Sequence, residues 1–151
     1  MTTLIVGLGR PDRGDDGVGP AVVARLALDD RRDVESMLLD DPTTLIDLWT
    51  GRGLVIVVDA VTSGSPPGTI HIIDATTDPL PQGPWAATGS HTFGLGAAVA
   101  LARALDRLPT RLLLVGVEAE TFDRGRRLSP VVAAAVGPAV ATVSEALDER
   151  R

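Results

Sequence analysis

The sequence predicts a single α/β domain over residues 1–151, built in three layers: a mostly parallel, twisted sheet of about five strands with helices on both faces. Three observations lead there. Short apolar runs alternate with segments of helical spacing along the chain. Two of those runs, LIVGL and LVIVV, are apolar at every position, as a strand covered on both faces must be. The 151 residues contain no internal repeat, linker or low-complexity tract, which fits one domain of ordinary size.

Residues 3–9 (TLIVGLG) read as a buried strand ending in glycines, and 10–16 (RPDRGDD) as a polar loop. Residues 17–29 place Val18, Val22, Val23, Leu26 and Ala27 at helical spacing, with Pro20 in the first turn, where its missing N–H costs little. Residues 33–39 form a strand. Residues 43–51 form a short helix capped by Thr43 or Thr44 and closed by Gly51. Residues 53–61 (GLVIVVDAV) are the clearest strand, with Asp59 its one charged residue. After the turn cluster SGSPPG, residues 69–74 (TIHIID) alternate like an edge strand. Residues 75–90 are a Pro-, Gly- and Thr-rich loop, 92–107 a buried helix and 111–117 a further strand. Residues 129–149 are an Ala-rich helix that starts on the pair Ser129–Pro130, and Pro138 is expected to bend or divide it.

Composition removes whole classes of chemistry. There is no cysteine, so disulfides, zinc fingers, thiolate nucleophiles and cysteine-held iron–sulfur clusters are excluded. All 14 cationic residues are arginine, which excludes a lysine Schiff base or a P-loop lysine. There is no tyrosine, and only two Phe and two Trp, which disfavours stacking on bases. A net charge of −6 argues against nucleic acid and anionic membrane surfaces as partners. No apolar run reaches the ~20 residues of a membrane span, and MTTLIVGLGR lacks a basic stretch followed by a long apolar one. With the absence of cysteine, this leads us to expect a cytoplasmic protein. GxSxG and Walker A motifs are absent, and GLGRPD fails the dinucleotide pattern because Asp12 stands where the third glycine belongs.

Ligands of open α/β sheets bind beyond the C-terminal ends of the strands. Asp12, Asp15 and Asp16 follow the first strand, Asp59 ends the third, and His91 opens a helix after the long loop. A carboxylate in an apolar strand is costly unless paired, hydrogen-bonded or metal-bound. Asp59 therefore either caps the next turn, near Thr62 and Ser63, or serves a ligand. One of Asp15 and Asp16 suffices to favour a helix start, which leaves its neighbour for chemistry. His91 follows Ser90 in a glycine-flanked helix start, where the imidazole is kept neutral as metal binding requires; a surface position is the alternative. His71 reads as an exposed residue of the edge strand, and Glu118 and Glu120 as parts of a solvated loop. Two carboxylates and one imidazole are too few for a closed structural zinc site, but an open site of this kind could accept zinc, nickel, manganese or iron.

Four segments in order resemble the hydrogenase maturation proteases. VGLGRPDRGDDGVGPAVVARL is similar to the family's opening GxGNxxxGDDGxG and helix, VIVVDAV to its second signature, GSHTFGLGAAVALA to its third, and GVEAETFDRGRRLSPVVAAAV to its closing segment. The resemblance spans nearly the whole chain. It implies an endopeptidase that removes the C-terminal extension of the nickel–iron hydrogenase large-subunit precursor after nickel insertion. It assigns Asp16, Asp59 and His91 as catalytic and metal-contacting residues and Asp15 as a loop or cap residue. The nickel is presented by the precursor, the partner is that precursor, and the enzyme is expected as a monomer. Residues 64–67 and 75–90 could form the cleft for the peptide. Arg10 replaces the family's asparagine and is expected to shape the loop and add positive charge near the acids. Two other classes stay open: a non-catalytic metal-sensing or chaperone-like binder of the same precursor, and another small peptidase on the same fold, such as a germination-protease-like enzyme. The residues also leave open whether water would be activated by a carboxylate base or by the metal as Lewis acid.

Overall fold

The computed structural model describes residues 2–28, 31–77 and 94–149. Its strands are β1 (Thr3–Leu8), β2 (Val34–Leu39), β3 (Leu54–Val61), β4 (Ile70–Asp74) and β5 (Arg111–Glu118), and its helices are α1 (Val18–Arg25), α2 (Leu45–Trp49), α3 (Leu95–Ala104) and α4 (Pro130–Glu149). One sheet runs in the order β2-β1-β3-β5-β4. All neighbours are parallel except β4, which runs antiparallel to β5 at the edge. The expected mostly parallel α/β sheet, with residues 69–74 on its rim, is what the chain forms.

Alternation along the strands builds two cores. Leu4, Val6, Val55, Val57, Leu112 and Leu114 face α2 and α3. Ile5, Ile56, Val58, Leu113, Val115 and Val117 face α1 and α4. Because β1, β3 and β5 are buried on both sides, they can carry no alternating polar residues, and the strand interiors read as unbroken apolar runs.

The helix ends differ from expectation for local reasons. α1 stops at Arg25, with Leu26 extended (φ −69°, ψ 134°), so that Leu26 and Leu28 pack on the core as the chain turns toward β2. The turn before α2 is capped by Asp41, not by Thr43 or Thr44: its carboxylate accepts the Thr43 N–H at 2.9 Å, with Pro42 in the first position. α3 ends at Ala104 because Asp106 takes a left-handed conformation (φ 56°) and Arg107 N–H bonds back to Ala102 O at 2.8 Å. α4 runs unbroken through Pro138, whose carbonyl accepts the Thr142 hydroxyl at 3.1 Å. By length and composition alone α4 could cross a membrane, but Val132, Val136, Val143 and Leu147 bury one face of it against the sheet.

Candidate active site

The chain leaves β1 toward β2 on one side and returns to β3 on the other, so the strand order reverses between β1 and β3. That switch point opens a crevice at the C-terminal strand ends. Both expected acids sit there. Asp16 lies in a 3-10 turn over Gly14–Gly17, directly after β1, and Asp59 lies near the end of β3. Both are fully buried.

Glycines make this approach possible. Gly9 has φ +136°, and a Cβ there would stand 1.9 Å from the Asp16 carbonyl oxygen. Gly19 lets the first turn of α1 touch both strands, since its Cβ would meet Val58 O at 2.3 Å and Leu8 O at 2.6 Å. The turn carrying Asp16 is thereby pressed onto the ends of β1 and β3. Asp16 Oδ2 accepts the Arg10 backbone N–H at 2.8 Å, and Asp59 Oδ1 accepts the Ala60 N–H at 2.9 Å. Position 10 thus serves Asp16 through its main chain, which any side chain but proline's can do. The Arg10 side chain instead pairs with Asp12 at 3.5 Å.

Asp15, the chain neighbour of Asp16, does different work. Its carboxylate accepts the Glu120 and Thr121 N–H groups at 2.8 and 3.1 Å, the Ser129 N–H at 2.7 Å, and the Ser129 hydroxyl. It ties the segment after β5, and the start of α4, to the turn after β1. The Ser129 hydroxyl, expected as a helix cap, serves Asp15 instead.

His91 lies outside the described residues, as do 78–90 of the expected loop. Among the described residues no three His, Asp or Glu gather as a metal-holding group. Asp59 shares its side-chain parity with Val55, Val57 and Val61, which face the α2–α3 layer, and α3 begins at Leu95, one residue after the described chain resumes and four after His91 in sequence.

Two readings of the strand ends need correction. Glu118 is not in a solvated loop; it ends β5 and is 2% exposed. His71 is not a plain exposed residue; its Nε2 lies 3.1 Å from Glu118 Oε1. The Glu118 carboxylate also accepts the Ser63 N–H at 2.7 Å and the Ser63 hydroxyl. Burial acts to raise the Glu118 pKa, but the Ser63 hydroxyl and N–H and the His71 ring outweigh it and hold the group below its usual value. The three side chains do not make a nucleophilic triad. In a triad, serine and acid sit on opposite ring nitrogens, whereas here Ser63 Oγ and Glu118 both approach Nε2 and Ser63 gives its proton to the acid. With the Gly68 N–H on Glu118 O at 2.8 Å, they anchor the loop after β3, which includes 64–67, to the end of β5. Asp59, Gly116 and His71 stand in one register row across β3, β5 and β4. The sequence signal for Glu118 was present: a carboxylate ending an apolar run, as at Asp59.

The hydrogenase maturation protease model matches residues 31–146. The chain belongs to that family. The hydrogenase expression/formation protein HupD of Thiocapsa roseopersicina is 32% identical over 149 residues, which span 95% of this chain and 66% of that protein. The hydrogenase 2 maturation protease of Escherichia coli (strain K12) is 29% identical over 155 residues, 99% of this chain and 92% of its own. The hydrogenase maturating endopeptidase HybD from E. coli has the same fold, with a TM-score of 0.80 and 26% identity over 99% of this chain and 94% of that one. Family membership makes the molecule a peptidase, and its fold places a buried carboxylate pair at the switch point.

Proposed function

We propose that this protease removes the C-terminal extension of a nickel–iron hydrogenase large-subunit precursor, and that Asp16, Asp59 and His91 meet the nickel which that precursor already carries. The observation that carries the reading is the pair of fully buried carboxylates at the β1–β3 switch point. An incoming cation stabilises buried carboxylates and is attracted strongly to a pair of them in a dry crevice. Carboxylate oxygens and an imidazole nitrogen suit a borderline divalent ion and leave positions for the precursor's own ligands.

When present, the metal supplies Lewis-acid polarisation of the carbonyl to be cut. The remaining work falls to this chain. Asp16 is held by the Arg10 N–H after β1, and Asp59 offers a second acid from the adjacent strand β3. Either carboxylate can take the proton of an attacking water as general base. The substrate's nickel thus acts as a check that loading is complete. We place this work in the cytoplasm, with the enzyme a monomer needing neither nucleic acid nor membrane, in keeping with the net charge of −6.

The test is to incubate the purified protease with precursor that is nickel-loaded or nickel-free and to weigh the products by mass spectrometry. Only the loaded precursor should lose a C-terminal peptide. Asp16→Asn, Asp59→Asn and His91→Ala should each slow that loss by about 100-fold or more while leaving the circular dichroism spectrum unchanged. Normal processing by all three would sink the assignment.

A further inference from the structure

A second feature of the crevice wall is unused by this mechanism. Arg10, Arg13 and Arg124 line a cleft of about 160 Å³ together with Asp12. In a chain of net charge −6, three guanidinium groups face one carboxylate there. The Arg10–Asp12 contact is long, at 3.5 Å, with both side chains largely exposed, so it neutralises the cleft weakly. Among the described residues no hydrogen bond or ion pair uses the Arg13 or Arg124 side chain, and Arg13 Nε is buried without a partner. The two loops that build the cleft are tied together through their main chains. Gly14 N–H bonds to Arg126 O at 3.0 Å and Gly125 N–H to Asp12 O at 2.7 Å, which stitches the two arginine-bearing loops together. It also adjoins the acids, since Arg10 N–H holds Asp16 and Asp16 N–H bonds to Arg13 O at 3.2 Å.

We propose that the cleft lined by Arg10, Arg13 and Arg124 binds a carboxylate of the substrate polypeptide and so sets the register of the segment cut beside Asp16. The inference rests on the peptidase reading above. A guanidinium fork matches a carboxylate with two parallel hydrogen bonds, and a preformed cleft spares the ordering that a loose one would need. The carboxylate belongs either to the free C-terminus of the extension or to an acidic side chain near the cut.

The experiment measures kcat and KM on nickel-loaded precursor for the wild type and for Arg13→Gln/Arg124→Gln, with Arg124→Gln alone as the milder variant should the pair disturb folding. Three substrates are compared: unaltered, with the acidic residues flanking the cut changed to their amides, and with an amidated C-terminus. The double variant should raise KM about tenfold on unaltered substrate, with a smaller change in kcat. One of the two neutralised substrates should show the same rise with wild-type enzyme, identifying the carboxylate, and no further rise with the variant. An unchanged KM in the variant, or equal losses on all three substrates, overturns the cleft's role while the peptidase reading stands. Failure of the wild type to cut unaltered precursor overturns both.

Discussion

Asp15 and Asp16 are adjacent, both fully buried, and different in what they do. Asp15 satisfies buried donors from Glu120, Thr121 and Ser129, so Asp15→Ala should cost about 3 kcal/mol or more in urea denaturation, because several charge-assisted bonds go at once. Asp16→Asn should change stability far less and abolish processing. Equal destabilisation by the two changes would contradict this division. Glu118 yields a pH prediction. Its folded pKa lies below the usual value, so the folded state favours the ionised group. That contribution is complete above the ordinary carboxylate range and is lost as pH falls through the lower folded value. Glu118→Gln should therefore cost about 1–3 kcal/mol near neutral pH, and its gap to wild type should shrink toward pH 3, read from denaturation midpoints across a pH series. Position in the sequence marked Asp59 and the Asp15–Asp16 pair, and the family resemblance chose Asp16 within it. Only the resemblance separated the pair, giving Asp15 as a loop or cap residue; the residues alone did not, because the donors that claim Asp15 lie more than a hundred residues away.

At the scale of elements, the contact between α1 and the strand ends depends on Gly19. Gly19→Ala would drive a methyl group into Val58 O and Leu8 O, both backbone atoms unable to step aside, and should lower stability by about 3 kcal/mol. A melting temperature equal to wild type would show that α1 can shift at little cost. Pro138 supplies the opposite case. It is exposed on α4, donates no hydrogen bond and yet leaves the helix continuous, so Pro138→Ala should raise stability by about 1–2 kcal/mol, the restored bond outweighing the looser unfolded chain. Element identity was legible because a strand buried on both faces and a one-sided helix have distinct apolar periods. Element ends were not. Asp106 closes α3 in a conformation usually left to glycine, and Asp41 caps the turn before α2 from outside the predicted segment.

Over the whole molecule, the order β2-β1-β3-β5-β4 confines the acids, the arginine cleft and the Ser63–Glu118–His71 cluster to the C-terminal ends of the parallel strands. A larger cleft of about 360 Å³, lined by Thr2, Leu54, Thr110 and Glu149 among others, lies at the opposite ends. Size alone would favour it, but it holds none of the paired buried acids. Thr110→Ala and Glu149→Ala should leave the processing rate at the wild-type level, and a large loss in either would move the site to the other end of the sheet. The sequence by itself determined the fold class and the edge strand and singled out Asp59, since burial imposes apolar periodicity and a lone acid in an apolar strand stands out against it. Only the tertiary structure decided that Asp15 is an anchor, that Glu118 is buried with His71 and Ser63, and that arginines from two distant loops share one cleft. Those facts depend on which chain ends meet across the sheet, and such meetings are set by strand order and close glycine contacts that no local pattern encodes.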